Sequence, residues 1–134
     1  MTGTSSLRIA VRKFGPFETA IAKIWQQFQA TSGDSSRLEA EALDLHPLHA
    51  ALLEQQGLKD GTWDVAFMVT DWLAEAVEQG AVLDLAPYMA HNPVQDYPHG
   101  WVPSLTRFQH WDGAVYGLPF HDGPECFIYR RDLF

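Results

Sequence analysis

The chain has a single cysteine, Cys126, so it cannot form an internal disulfide. No histidine or asparagine spacing around it marks a thiol enzyme, and it reads as a small apolar residue in an apolar run. Cationic residues are scarce as well: nine Lys and Arg stand against 17 Asp and Glu, for a net charge of −8. Beyond Arg12-Lys13 and Arg130-Arg131 there is no basic cluster. An acidic chain without a basic stripe argues against nucleic acid and against an anionic membrane surface as partners. Apolar runs fall well short of the roughly 20 residues that a membrane span needs. Met1 to Ser6 lacks the basic-then-apolar order of a signal peptide. Two readings follow: a cytosolic protein, or one exported by a leader outside the given sequence. What remains is ordinary for one globular domain: 134 residues, 46% hydrophobic and 19% charged.

The stretch from Trp63 to Gly80 organises the rest. Val65-Ala66-Phe67-Met68-Val69 is apolar without alternation, which predicts a strand covered on both faces. Thr70 and Asp71 follow, with Asp71 placed to cap a helix that carries Leu73, Ala76 and Val77 and closes at Gly80. Upstream, Leu7 to Arg12 reads as a first strand with Leu7, Ile9 and Val11 on one face. Pro16 suits the first position of a helix. That helix carries a sheet-facing stripe of Phe17, Ala20, Ile21, Ile24, Trp25 and Phe28, and ends at Gly33. Arg37 to Leu43 alternates, with charges on every second residue, as an edge strand does. Asp44 to Pro47 then opens a helix with Leu48, Ala51 and Leu52 that stops at Gly57.

The pattern is βαβαβα. It predicts an α/β fold, a doubly wound and mainly parallel sheet. The charged strand at the edge and the apolar third strand inside give the order 2-1-3. Ligands of such sheets bind at the carboxyl ends of the strands, where the order reverses. Here that cleft lies between the Phe14 to Pro16 loop and the Thr70 to Trp72 loop. After Gly80 the chain changes character. Prolines stand at 87, 93, 98 and 103, and residues 86 to 107 read mainly as connection, with a helix near Pro103 to Phe108. Asp112-Gly113 signals a hairpin turn, and Glu125 to Arg130 a further strand. Asp132 looks like the cap of a helix that does not follow, which makes the chain the front part of a longer protein.

The sequence has no nucleophile elbow, phosphate loop or dinucleotide fingerprint. His46 and His49 are three apart across Pro47, with no paired cysteines or HExxH pattern to make a metal site, so neither metal nor cofactor is expected. Recognition of a polar, neutral ligand fits better. Aromatic rings can cover the apolar faces of a sugar while carboxylates accept its hydroxyl protons. Phe14, Trp72, Trp101, Trp111, Tyr116 and Phe120, with Asp71, His121 and Asp122, supply that mix. Each aromatic also has a packing reading, and Asp71 a capping one. A rival reading is a cytosolic enzyme domain using Asp71 and His121 as an acid/base pair. A third is a truncated product without function.

Several motifs resemble one family in order and spacing. They are Trp25-Gln26-Gln27-Phe28 before Thr31-Ser32-Gly33, Trp63-Asp64-Val65, and Glu78 to Leu85. Asp112-Gly113-Ala114-Val115-Tyr116-Gly117-Leu118-Pro119 and Phe127 to Phe134 complete the set. Together they resemble family 1 of the extracellular solute-binding proteins of ABC importers, the sugar-binding group that includes the maltose-binding protein. The resemblance spans Leu7 to Phe134. It implies a periplasmic-binding-protein-like lobe of type II, with residues 1-134 as the N-terminal lobe of a two-lobed, non-enzymatic binder. It also implies a periplasmic or extracellular monomer that delivers a small solute, a carbohydrate, to an ABC permease. Carried over position by position, its first-lobe contacts fall on Phe14 and Gly15, on Asp71 and Trp72, and on His121, Asp122 and Gly123. Trp72 stands where the maltose-type proteins have a basic residue. Gly123 stands where they have a glutamate, with Asp122 as its substitute.

Overall fold

The computed structural model describes residues 5–123 and 128–133. Three parallel strands form its centre: β1 (Ser6–Arg12), β2 (Arg37–Leu43) and β3 (Val65–Phe67), in the order β2-β1-β3. β1 pairs with β2 over its full length, Ser6 opposite Arg37 through Arg12 opposite Leu43. It meets β3 only from Ile9–Val65 to Val11–Phe67. Asp64 fixes that second register. Its Oδ2 accepts the Arg8 amide at 2.8 Å and Arg8 Nε at 3.1 Å, its Oδ1 accepts an Arg8 Nη at 2.8 Å, and its own amide donates to the Arg8 carbonyl at 2.9 Å.

The alternation of side chains along β1 sorts the core into two halves. Ile9 and Val11 face α1 (Gly15–Ser32) and meet its Ile21, with Leu7, Phe17, Leu38, Ala42 and Phe67 around them. Ala10 points the other way. It joins Leu48 of α2 (Leu45–His49), Leu52 and Leu53 of the π-helical turn that continues it (Ala50–Glu54), and Ala76 of α3 (Leu73–Glu78). Helices therefore lie against both faces of this small mixed α/β sheet.

Local signals account for most boundaries. Phe14 is extended, and its carbonyl accepts the amides of Phe17 and Glu18 at the start of α1. Gly33, at φ 71°, ends that helix with its amide on the Gln29 carbonyl. Gly80 adopts φ 64° after α3, as the sequence requires of a left-handed closure. The left-handed residue after the π-helical turn is Gln56 (φ 57°), not Gly57. Gly57 has a different constraint: a Cβ there would lie 2.5 Å from the Ala51 carbonyl oxygen and 2.8 Å from the Trp63 ring.

Beyond α3, α4 (Ala86–His91) and α5 (Pro103–Arg107) are short helices, each with proline in its first turn. β4 (His110–Trp111) and β5 (Ala114–Val115) form the antiparallel hairpin. Asp112 (φ 48°) and Gly113 (φ 83°) both take positive φ, as a type I′ turn demands. Asp84 ties this hairpin to α4. Its Oδ1 accepts the amides of Ala86 (2.9 Å) and Val115 (3.0 Å), bonds that hold its carboxyl below the usual range.

Four expectations change. β3 is not inside the sheet: among the described residues it pairs with β1 alone, and Val65 is 42% exposed. Asp71 does not cap α3. Thr70–Trp72 forms a 3₁₀ turn that leads into the helix through backbone bonds, and no side-chain cap bond forms. The α1 stripe is only partly sheet-facing, since Ile24 (54%) and Phe28 (45%) are exposed. Half of the strand expected over Glu125–Arg130, and the Cys126 reading with it, lies outside the described residues, and Ile128 to Arg130 form no strand. Asp132 falls inside a 3₁₀ turn (Arg131–Leu133), with its carboxylate bonded to the Arg130 guanidinium.

Candidate functional site

The carboxyl ends of β1 and β3 carry two distinct groups of side chains. The first is an aromatic ledge. Phe14, just after β1, meets Phe17 edge-on at a centroid distance of 4.9 Å. Phe17 in turn meets Phe120 at 5.5 Å and the His121 ring at 4.9 Å. Phe120 closes the set on Phe67, the last residue of β3, at 4.7 Å. All four contacts are edge-to-face or close to it, the arrangement that ring quadrupoles favour. Phe14 and Phe120 remain 49% and 43% exposed, so the ledge presents apolar ring surface to solvent. The irregular segment through Leu118-Pro119 thus returns the chain to the sheet edge and sets His121 beside Phe17. Asp122 and Gly123 follow it on the surface.

The second group stands on the opposite face of the sheet. Trp72, in the turn after β3, packs on the cluster around Leu48 and Leu52. Its ring meets that of His49 at 5.0 Å, nearly perpendicular. Both ring nitrogens of His49 are engaged: Nε2 with Glu75 Oε2 at 2.9 Å and Nδ1 with Glu54 Oε1 at 3.1 Å. The remaining Glu75 oxygen accepts from Gln79 Nε2 at 3.1 Å. The bond to Glu75, with a smaller share from Glu54, raises the imidazole above its ordinary value of 6.5, while burial pulls the other way.

Of the seven residues named from the sequence, Phe14 and His121 come together through Phe17. Trp72 is fixed on the other side by His49. Asp71 is exposed, as is Asp122, and neither carboxylate makes a hydrogen bond among the described residues. Asp71 and His121 share no hydrogen bond, so the acid/base pair considered above is not assembled. A Cβ on Gly15 would meet nothing within 4 Å, so no close neighbour forces glycine there. The more distant aromatics do not join either group. Trp101 packs on Tyr97 at 5.9 Å in the irregular segment, and Trp111 lies in the hairpin. Two concavities in the fold also lie elsewhere. One, of about 90 Å³, opens between Ile21 and Ala22 of α1 and Leu38, Ala40 and Ala42 of β2. The other, of about 300 Å³, lies between α4, Val94, Tyr97 and Val115. Neither concavity is lined by those seven residues, which form a wall at the carboxyl edge of the sheet.

Reading the sequence missed Phe17, Phe67 and His49. The apolar spacing of Phe17 and Phe67 reads as core alone, although Phe17 lies in the first turn of α1, just beyond the carboxyl end of β1, and Phe67 ends β3. His49 could have been found from its spacing to Glu54 and from the place of Glu75 one turn beyond Trp72.

No helix among the described residues is long and apolar enough to cross a membrane. No curated protein matches the chain closely enough to count as a relative. The family model for bacterial extracellular solute-binding proteins matches residues 15–134, from the first residue of α1 to the end of the sequence. On that match, the chain belongs to the bacterial extracellular solute-binding proteins.

Proposed function

We propose that this chain forms the N-terminal lobe of the substrate-binding component of an ABC importer, a doubly wound lobe of type II. It takes a small polar solute, a carbohydrate, in a cleft closed by a second lobe, and has no catalytic activity of its own. The solute is passed to a permease at the membrane. The observation that carries this reading is the exposed aromatic ledge of Phe14, Phe17 and Phe120 at the carboxyl edge of the sheet. Rings of that kind cover the C–H faces of a sugar, and the unbonded carboxylates of Asp71 and Asp122 are suited to accept its hydroxyl protons. Trp72 supplies a second aromatic surface, and Gly15, His121 and Gly123 complete the contact set. Side chains set along the sheet edge are what one lobe of a two-lobed site should offer.

Isothermal titration of the two-lobed protein against a panel of mono- and disaccharides tests the proposal. A sugar that binds should lose roughly five- to thirtyfold in affinity in Phe14→Ala and in Asp71→Asn, each change removing on the order of 1–2 kcal/mol. Unchanged affinity in both variants would remove the sheet edge from the binding site.

A further inference from the structure

We infer that His49 is a positioning residue for the Trp72 wall of the site: it orients the indole through a ring contact that depends on protonation of the imidazole. The inference rests on the reading that Trp72 faces the cleft, but the contact itself is a property of the solute-free lobe. Both ring nitrogens of His49 face carboxylates, Glu75 on α3 and Glu54 on the π-helical turn. A neutral imidazole has one N–H, so it can donate to only one of them, whereas the imidazolium donates to both. The ring is thus fixed from two sides when charged and from one side when neutral. Gln79 donates to the far oxygen of Glu75, so that carboxylate is itself oriented. Among the described residues no other charged group bonds the ring, and no hydrogen bond joins it to His46 on the same helix.

Trp72 lies edge-to-face against this ring at 5.0 Å. The perpendicular contact couples the indole to the state of the imidazole: a charge on a ring that meets the indole face adds the attraction of a cation for a π-system, which goes when the proton leaves. The same deprotonation loosens one of the two carboxylate bonds, so the ring can turn away from the indole. Trp72 begins the step from the 3₁₀ turn into α3, and Glu75 is one turn along that helix. His49 therefore links the helix that carries Glu75 to the side chain at its start. Protonation orders the wall, and deprotonation frees it. The position of the His49 ring above its ordinary value places this change on the alkaline side of 6.5.

The test uses the chain without any solute, so its outcome is independent of whether sugars bind. Histidine Cε1–H and tryptophan Nε1–H resonances are followed by NMR from pH 5 to 9, with Trp72 assigned through Trp72→Phe. The Trp72 indole signal should titrate with the His49 midpoint, and that midpoint should lie above 6.5. Glu75→Gln, which keeps the hydrogen-bonding shape but not the charge, should move both midpoints down together. His49→Gln should abolish the Trp72 titration while the other four indole signals stay as they were. A Trp72 signal that is flat across the range, or that titrates at a pH unrelated to His49, would overturn the inference. So would a Glu75→Gln variant with both midpoints unmoved.

Discussion

The two faces of the sheet are built from alternate residues of the same strand, and they are covered very differently. Behind Ala10, the helix Leu45–His49, its π-helical continuation and α3 seal a cluster in which Leu48, Leu52 and Leu53 are 0–1% exposed. Behind Ile9 and Val11, α1 is the one helix among the described residues that supplies cover. Only its Ile21 is buried, Ile24 and Phe28 show half their surface, and a cavity of about 90 Å³ opens toward β2. The difference reaches the candidate site. Trp72 is anchored to the sealed side by His49, whereas Phe14, Phe120 and His121 rest on the α1 side, through Phe17 and Phe67. One half of the wall is fixed, and the other stands on looser packing.

The contrast breaks most directly at the two cores. Leu52→Ala removes a fully buried side chain from a cluster with nowhere to collapse, and should cost about 3–5 kcal/mol in chemical denaturation. Ile21→Ala, beside an existing cavity, should cost less, about 2 kcal/mol. Equal losses would mean that the α1 face is as tightly packed as the other. Gly57→Ala sharpens the picture of the sealed side. Its new methyl must displace the Ala51 carbonyl or the Trp63 ring, at a cost of about 1–3 kcal/mol in the same measurement. A neutral result there would show that the turn after Glu54 yields readily. The smallest effect belongs to the exposed stripe: Ile24→Ala should stay within about 0.5 kcal/mol of the parent. A larger loss would mean that something packs on α1 in solution.

Strand order was legible because charge and alternation mark β2 as an edge, and because Gly33, Gly80 and Asp112-Gly113 each demand a particular backbone. What failed had physical reasons. A run such as Val65 to Val69 indicates that a strand is apolar but not which neighbours cover it, and here β3 pairs on one side only. Asp71 has the chemistry of a helix cap, yet the tighter 3₁₀ turn carries the chain into α3 through its backbone and leaves the carboxylate free. The α1 stripe has helical spacing throughout, but spacing does not show which part of it the sheet covers, and Ile24 and Phe28 stay exposed. At the site, sequence order showed which loops end at the sheet edge. It could not show that Phe14 and His121 meet through Phe17, because that contact joins segments about a hundred residues apart.

That wall is the central claim, and hydrogen exchange on the protein with its proposed second lobe reads it directly. With and without a bound solute, protection should rise at residues 14–15, 70–72 and 121–123, with the larger change on the Phe14 and His121 side, whose packing is looser. Protection confined to the groove between α4 and Val115, with those three loops unchanged, would contradict the account.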